Sequence, residues 1–185
     1  MTTAEIKDLL DQLAAAGVFF LVFSGGEVFL RRDFFELLEH ARSLLFSGLE
    51  RHYADHAPSY FRQIVRRLHR LSSEELAVIV DDAVDTGQIT AREGDDLIAA
   101  DIVIRGRRTA DQSDAYLVVE VSWGVGKDDV ERAARRAAIL AKLGIPALAA
   151  VAGEFVTADA AELARTQGVW QVMDGRVIAP ESPSS

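Results

Sequence analysis

Two short apolar runs joined by a polar loop constrain the fold of this 185-residue chain more than any other feature. Residues 100–107 contain Ile-Val-Ile, residues 115–122 contain Tyr-Leu-Val-Val, and the connection over 108–114 is almost entirely polar. Short uninterrupted apolar segments of this kind predict buried β-strands. Two such strands with a short polar connection predict an antiparallel hairpin.

The rest of the chain after residue 72 alternates between helix and strand signals. Ser and Thr residues stand at the predicted helix starts, where their side chains cap free backbone amides. Gly or Pro residues stand at several of the predicted ends. This alternation predicts an α/β fold. The predicted elements are helices over 73–83, 90–98, 129–143 and 157–166, a buried strand over 147–152, and a closing hairpin over 169–179.

Each strand of the first hairpin carries one carboxylate. If the hairpin is symmetric about residues 110 and 111, Asp101 lies directly opposite Glu120, and the two side chains share one face of the sheet. Two facing carboxylates repel unless one is protonated or a divalent cation lies between them. Glu120 follows four apolar residues. An alternative is therefore that it ends the strand and pairs with Arg105 or Arg135.

These segments resemble the PD-(D/E)XK nuclease superfamily over about residues 73–178. The resemblance is carried by the run Ala-Asp101-Ile-Val-Ile-Arg-Gly and by Tyr-Leu-Val-Val-Glu120-Val-Ser122, followed by a charged helix and an apolar strand. It implies a restriction-endonuclease-like mixed sheet flanked by helices. It also implies that Asp101 and Glu120 bind magnesium, as catalytic and metal-binding residues of a phosphodiester hydrolase.

The chain departs from that family at Ser122, where the family has a catalytic Lys. Ser122 has no charge with which to position water or to stabilise the charge that develops on a phosphate. Lys127, past two glycines, is the candidate catalytic replacement, and arginines 132, 135 and 136 of the next helix are other donors. Two functions follow. One is a nuclease-like protein that binds a metal and acts on or binds nucleic acid, and the other is an inactive interaction domain that kept the fold.

A separate resemblance covers residues 1–45. The run Gly-Val-Phe-Phe-Leu-Val-Phe-Ser-Gly25-Gly26-Glu27, with the helical signal after Asp33, is similar to the strand, loop and helix of radical S-adenosylmethionine enzymes. The resemblance implies that the Gly-Gly-Glu loop once contacted S-adenosylmethionine. The family also needs three cysteines for its iron–sulfur cluster, and this chain has none. We therefore expect a non-functional fragment, mostly helical, with a helix over 3–16 and a strand over 18–23.

Residues 46–72 are predicted to form a basic amphipathic helical segment. Pro58 suits the first turn of a helix, and apolar residues recur at helical spacing through Leu71. Its arginines are either a solvated helix face or contacts to a nucleic-acid backbone. The candidate nucleic-acid-binding residues are Arg62, Arg66, Arg67 and Arg70.

Charge and composition limit the partners and the location. The net charge is −9, and residues 72–185 carry all of it. An acidic domain binds nucleic acid only through a local basic patch or a metal ion. The longest apolar stretch is shorter than the roughly 20 residues of a membrane helix, and the first residues lack a signal-peptide pattern, so we expect a cytoplasmic protein without a membrane partner. The predicted organisation is 1–45 (fragment), 46–72 (basic segment), 73–179 (nuclease-like α/β domain) and 180–185 (disordered tail).

Overall fold

The computed structural model describes residues 1–18, 21–24 and 31–181, without the side chains of residues 45–47. The chain divides into two compact units, Met1–His52 and Tyr53–Ser185. None of the helices in the described ranges is both long and apolar enough to cross a membrane.

The regular secondary structure described in the first unit is helical. Helix α1 spans Thr3–Ala15 and begins with a reciprocal capping pair between Thr2 and Glu5, and helix α2 spans Phe34–Asp55. These helices confirm the mostly helical N-terminal region. Val18 and residues 21–23 of the predicted strand are not in a strand. Residues 19–20 and the Gly25-Gly26-Glu27 loop lie outside the described residues.

The second unit is a six-stranded mixed sheet flanked by helices, which confirms the α/β class. The sheet order is β1-β2-β3-β5-β7-β8; β3, β5 and β7 are parallel to one another, and the other pairings are antiparallel. A separate pair, β4 and β6, is parallel. The strands are β1 Val65–Arg70, β2 Ile102–Arg108, β3 Asp114–Val121, β4 Gly124–Val125, β5 Ala147–Gly153, β6 Phe155–Val156, β7 Val169–Met173 and β8 Arg176–Ile178.

Five helices accompany this sheet within the described residues of the second unit. Reciprocal capping pairs start α4 at Ser72 and α5 at Thr90, as the Ser and Thr positions predicted. One buried apolar cluster joins α4, α5, α6 and α7 to Val103, Tyr116 and Val118 of the sheet. Helices therefore cover the sheet face on which Glu120, two residues beyond Val118, also lies. The helices are α3 Ala57–Phe61, α4 Ser73–Asp85, α5 Ala91–Ile98, α6 Lys127–Ala141 and α7 Ala158–Gln167.

The predicted helix over residues 58–71 is wrong beyond Phe61. Helix α3 ends there, and Val65–Arg70 form strand β1, which pairs with β2. The strand has an irregularity between Arg66 and His69, and Arg67 has a φ of +53°. This bulge breaks the two-residue alternation of a strand, so Val65 and Leu68 fall three residues apart and imitate helical spacing. The predicted tail over 180–185 lies mostly outside the described residues.

Candidate functional site

The hairpin has the predicted register. Ile102 lies opposite Val119 and Val103 opposite Val118. One step further places Asp101 opposite Glu120 on the helix-covered face, at the end where the ladder finishes. The carboxylate of Asp101 accepts a hydrogen bond of 2.7 Å from the Val121 backbone amide, so Asp101 holds the end of the hairpin together.

Glu120 is the buried acid of this site, with 1% of its surface exposed. Its Oε1 accepts a hydrogen bond of 2.6 Å from Arg136 Nη1, and its Oε2 accepts one of 3.0 Å from Arg132 Nε. The two arginines are four residues apart on α6, so both reach the sheet from one helix face. We call them the arginine pair.

Further acids surround the arginine pair. Arg136 also donates to Asp96 at 3.1 Å, and Arg135 donates to the same carboxylate at 2.6 Å. Arg132 donates in addition to Asp129. In this cluster, carboxylates on β3, α5 and α6 form ion pairs with arginines on α6. The buried charges are thereby hydrogen-bonded.

Burial and the nearby negative charge of Asp101 raise the pKa of Glu120, while its hydrogen bonds to Arg136 and Arg132 lower it. The net direction is upward. The effect of Asp101 on this pKa indicates that the two carboxylates are near one another, as the register requires.

The donors of this arrangement do not fit a magnesium ion. Mg²⁺ takes carboxylate oxygens together with several waters in a strict octahedral geometry. Both oxygens of Glu120 already face guanidinium groups, and one oxygen of Asp101 faces a backbone amide. Within the described ranges, no group of three or more His, Cys, Asp or Glu side chains could hold a metal ion.

The residues considered as replacements for the missing Lys lie at different positions in the second unit. Lys127 is the first residue of α6 and not part of a flexible loop, and its ammonium lies 3.3 Å from Asp159. The Ser122 hydroxyl donates to the Gly124 carbonyl at 3.2 Å. The prediction that Glu120 pairs with Arg105 or Arg135 is wrong, since Arg132 and Arg136 are its partners. Their spacing of 12 and 16 residues after Glu120, one helical turn apart, was the available signal.

The four candidate nucleic-acid-binding arginines are all exposed. Arg62 caps the end of α3, and Arg66, Arg67 and Arg70 lie on β1, at one edge of the sheet. The neighbouring strand adds Arg105, opposite His69 in the β1–β2 register. Arg105 was not predicted as a member of this surface, because the other arginines were assigned to a helix and their pairing with β2 was not expected.

Comparison with known proteins gives one partial relationship. No family model matches the chain, and no solved structure matches it. Proteins named PqqA peptide cyclase, from Xanthomonas oryzae pv. oryzae and Xanthomonas campestris pv. campestris, are 52% identical to it over 50 residues. That stretch is 26% of this chain, and the match covers 13% of the length of those relatives. The match fits the resemblance of residues 1–45 to an enzyme fragment.

Proposed function

We propose that residues 53–181 form a nuclease-like domain of the PD-(D/E)XK type that has become a non-catalytic interaction domain. The mixed sheet, the two carboxylates in register and the flanking helices support the relationship to nucleases. The observation that carries the loss of catalysis is the arginine pair, which donates to both oxygens of the buried Glu120.

Charge balance opposes metal binding at Glu120. A divalent cation bound to Glu120 would lie beside two guanidinium groups in a partly desolvated site, where repulsion between like charges is strong. Moving Arg136 away would leave Asp96 without one of its two cations. Separating a buried ion pair costs about 3–5 kcal/mol, a cost that metal binding would have to exceed. Ser122 also lacks the charge that the family uses at its position.

The second candidate function is magnesium-dependent phosphodiester hydrolysis. The observation in its favour is the proximity of Asp101 and Glu120, which follows from the β2–β3 register; after burial, the charge of Asp101 is the next contribution to the raised pKa of Glu120. In that function Asp101 and Glu120 would hold the metal, and Lys127 would supply the positive charge.

A turnover assay separates these two functions. The full chain, treated with a chelator and then supplied with magnesium or manganese, is incubated with labelled single- and double-stranded DNA and RNA. We expect no cleavage above that of the Asp101→Ala variant prepared in parallel. Metal-dependent cleavage by the wild type that disappears in Asp101→Ala would overturn the proposal and establish the hydrolase.

For the first unit we propose a fragment without radical chemistry. The partial identity to PqqA peptide cyclase supports its origin, and a chain without cysteine has no thiolates for an iron–sulfur cluster. Anaerobic reconstitution with iron and sulfide should leave no cluster absorbance on the purified protein. A stoichiometric cluster would contradict this proposal.

A further inference from the structure

The edge of the sheet formed by β1 carries an unbalanced group of arginines. On the neighbouring strand β2, two cations are balanced by described ion pairs: Arg107 pairs with Asp114, and Arg108 pairs with Asp111. The exposed arginines of the edge have no acidic partner in the described part of the chain. We call this surface the basic edge; it consists of Arg62, Arg66, Arg67, Arg70 and Arg105.

The register increases the local charge. Arg66 lies directly opposite Arg107 in the antiparallel pair, and like charges in that position destabilise a sheet. Asp114 already balances Arg107, so Arg66 is the charge of this pair that an external anion would neutralise. Since the net charge of −9 arises in residues 72–185, the edge is a local basic exception in an acidic domain, and its charge directs a polyanion toward it.

The backbone of the edge argues against a peptide that adds as another strand. The irregularity between Arg66 and His69 and the positive φ of Arg67 interrupt the outer row of amides and carbonyls. Bulges and charged side chains are features that block strand addition. Recognition at this edge therefore uses side chains, and guanidinium groups suit phosphate oxygens because they donate two parallel hydrogen bonds.

An open pocket of about 450 Å³ adjoins the basic edge. Its lining includes Arg105 and His69, the carboxylates of Glu74 and Glu75, and apolar side chains such as Leu71 and Val78. Glu75 is paired with His69 at 3.0 Å, so Arg105 keeps its charge toward the pocket. An unpaired base has an apolar face that binds in such surroundings, whereas the bases of a duplex are stacked inside it. Because of the bulge, Arg66 and Arg70 span only three residues of β2, from Arg107 to Ile104. This is roughly 10 Å at the usual rise, which is enough to reach successive phosphates.

We propose that the basic edge binds the phosphate backbone of a single-stranded nucleic acid and that the adjoining pocket accepts a base. This inference rests on the proposed function, because it names the partner of the interaction domain. It is independent of hydrolysis, since binding is measured in the presence of a chelator.

The test is fluorescence anisotropy of the full chain with a labelled oligothymidylate or oligouridylate, titrated at several salt concentrations. The double variant Arg66→Gln/Arg70→Gln removes two charges from the edge. The matched control, Arg92→Gln/Arg176→Gln, removes two exposed arginines elsewhere in the same unit. Tryptophan-fluorescence melting of each variant verifies that the fold is intact.

Five phosphate contacts predict a slope of about −3.5 for log K against log salt concentration, at roughly −0.7 per contact for single strands. The edge variant should bind at least about tenfold more weakly and lose about 1.4 from that slope. The control should bind within about twofold of the wild type, and a duplex should compete less well than a single strand.

Three results would overturn the inference: no binding at low salt, equal losses in the edge variant and the control, or competition by polyglutamate as strong as that by the oligonucleotide. The last would assign the edge to an acidic protein segment. None of these measurements involves turnover. The absence of binding would therefore overturn this inference without affecting the proposed loss of catalysis, which the cleavage assay tests.

Discussion

Replacing Arg136 by Met tests how strongly the buried acid depends on the arginine pair. Met keeps much of the volume of the Arg stem and removes the charge. The Arg136 side chain is 8% exposed and that of Glu120 is 1% exposed, whereas Arg132 is 36% exposed. Loss of one partner from a buried pair costs about 3–5 kcal/mol. Since Arg132 still donates to Glu120, we expect Arg136→Met to lower the free energy of unfolding by an amount near the lower limit, about 3 kcal/mol.

Arg132→Met is the matched comparison. Its pairing is partly screened by solvent, so its loss should cost about 1 kcal/mol or less. The double variant Glu120→Met/Arg136→Met removes both charges of the buried pair and should be more stable than Arg136→Met alone, because apolar side chains replace buried ion pairs at little cost. The coupling energy between the two positions should be about 2 kcal/mol.

The assay is urea unfolding followed by tryptophan fluorescence. Both tryptophans of the chain, Trp123 and Trp170, lie in the second unit, so the signal reports on the unit that contains the site. The linear dependence of the unfolding free energy on urea gives each difference.

The effect of Arg136→Met should also depend on pH. Its loss removes a contact that lowers the pKa of Glu120, so that pKa rises further above the ordinary value of 4.5. A raised folded-state pKa means that the native protein binds the extra proton, and stability falls as pH increases from 4.5 through the folded-state pKa. The destabilisation should therefore be smaller below pH 4.5 than at neutral pH. Equal losses at both pH values, a coupling energy near zero, or a larger loss in Arg132→Met would refute this reasoning.

Two further predictions concern packing and acid stability. Gly153→Ala should lower the unfolding free energy by about 3 kcal/mol, because an added Cβ would lie 2.0 Å from the Ser122 carbonyl oxygen. In the same urea assay, Gly126→Ala should cost about 1 kcal/mol or less, because its Cβ would meet no atom closer than 3.8 Å. Equal losses in the two variants would contradict the packing argument. The Lys142 ammonium, with the Thr90 backbone amide, lowers the pKa of Glu93 from 4.5 to about 2. The native state therefore binds fewer protons than the unfolded state, and this stabilisation is complete above pH 4.5 and is lost as pH falls to about 2. Lys142→Met should raise the Glu93 pKa and weaken that acid dependence, as followed by carbon-detected NMR titration, and an unchanged pKa would exclude the contact.

The hairpin and most of the helices could be predicted from local signals. The polar loop between two apolar runs determines the register of β2 and β3, and hydroxyl side chains at residues 72 and 90 mark helix starts through their capping bonds. These signals lie within a few residues of the structure that they predict.

Local sequence signals do not predict which face of α6 meets Glu120. A hydrophobicity pattern places the apolar Ala138 in the core and the charged Arg136 in solvent, yet Ala138 is exposed and Arg136 is buried. The rotation of α6 about its axis depends on how the whole helix packs on the sheet. The ion pairs of Arg136 with Glu120 and Asp96 offset the cost of burying its charge, and a hydrophobicity pattern does not include that contribution.

The helix prediction for the residues of strand β1 was wrong for a related reason. Arginine and leucine favour helices, and the bulge near Arg67 hides the two-residue period. Pairing with β2 supplies backbone hydrogen bonds that outweigh this local preference. The prediction of exposed arginines in this segment was correct even though the element that carries them is a strand.

The most direct test of the arginine pair as the permanent partner of Glu120 is titration of the full chain with Mn²⁺, followed by the loss of the free-ion electron paramagnetic resonance signal. We predict that wild type and Glu120→Gln bind the ion equally weakly, with no saturable site. One stoichiometric Mn²⁺ in the wild type that is absent from Glu120→Gln would contradict it.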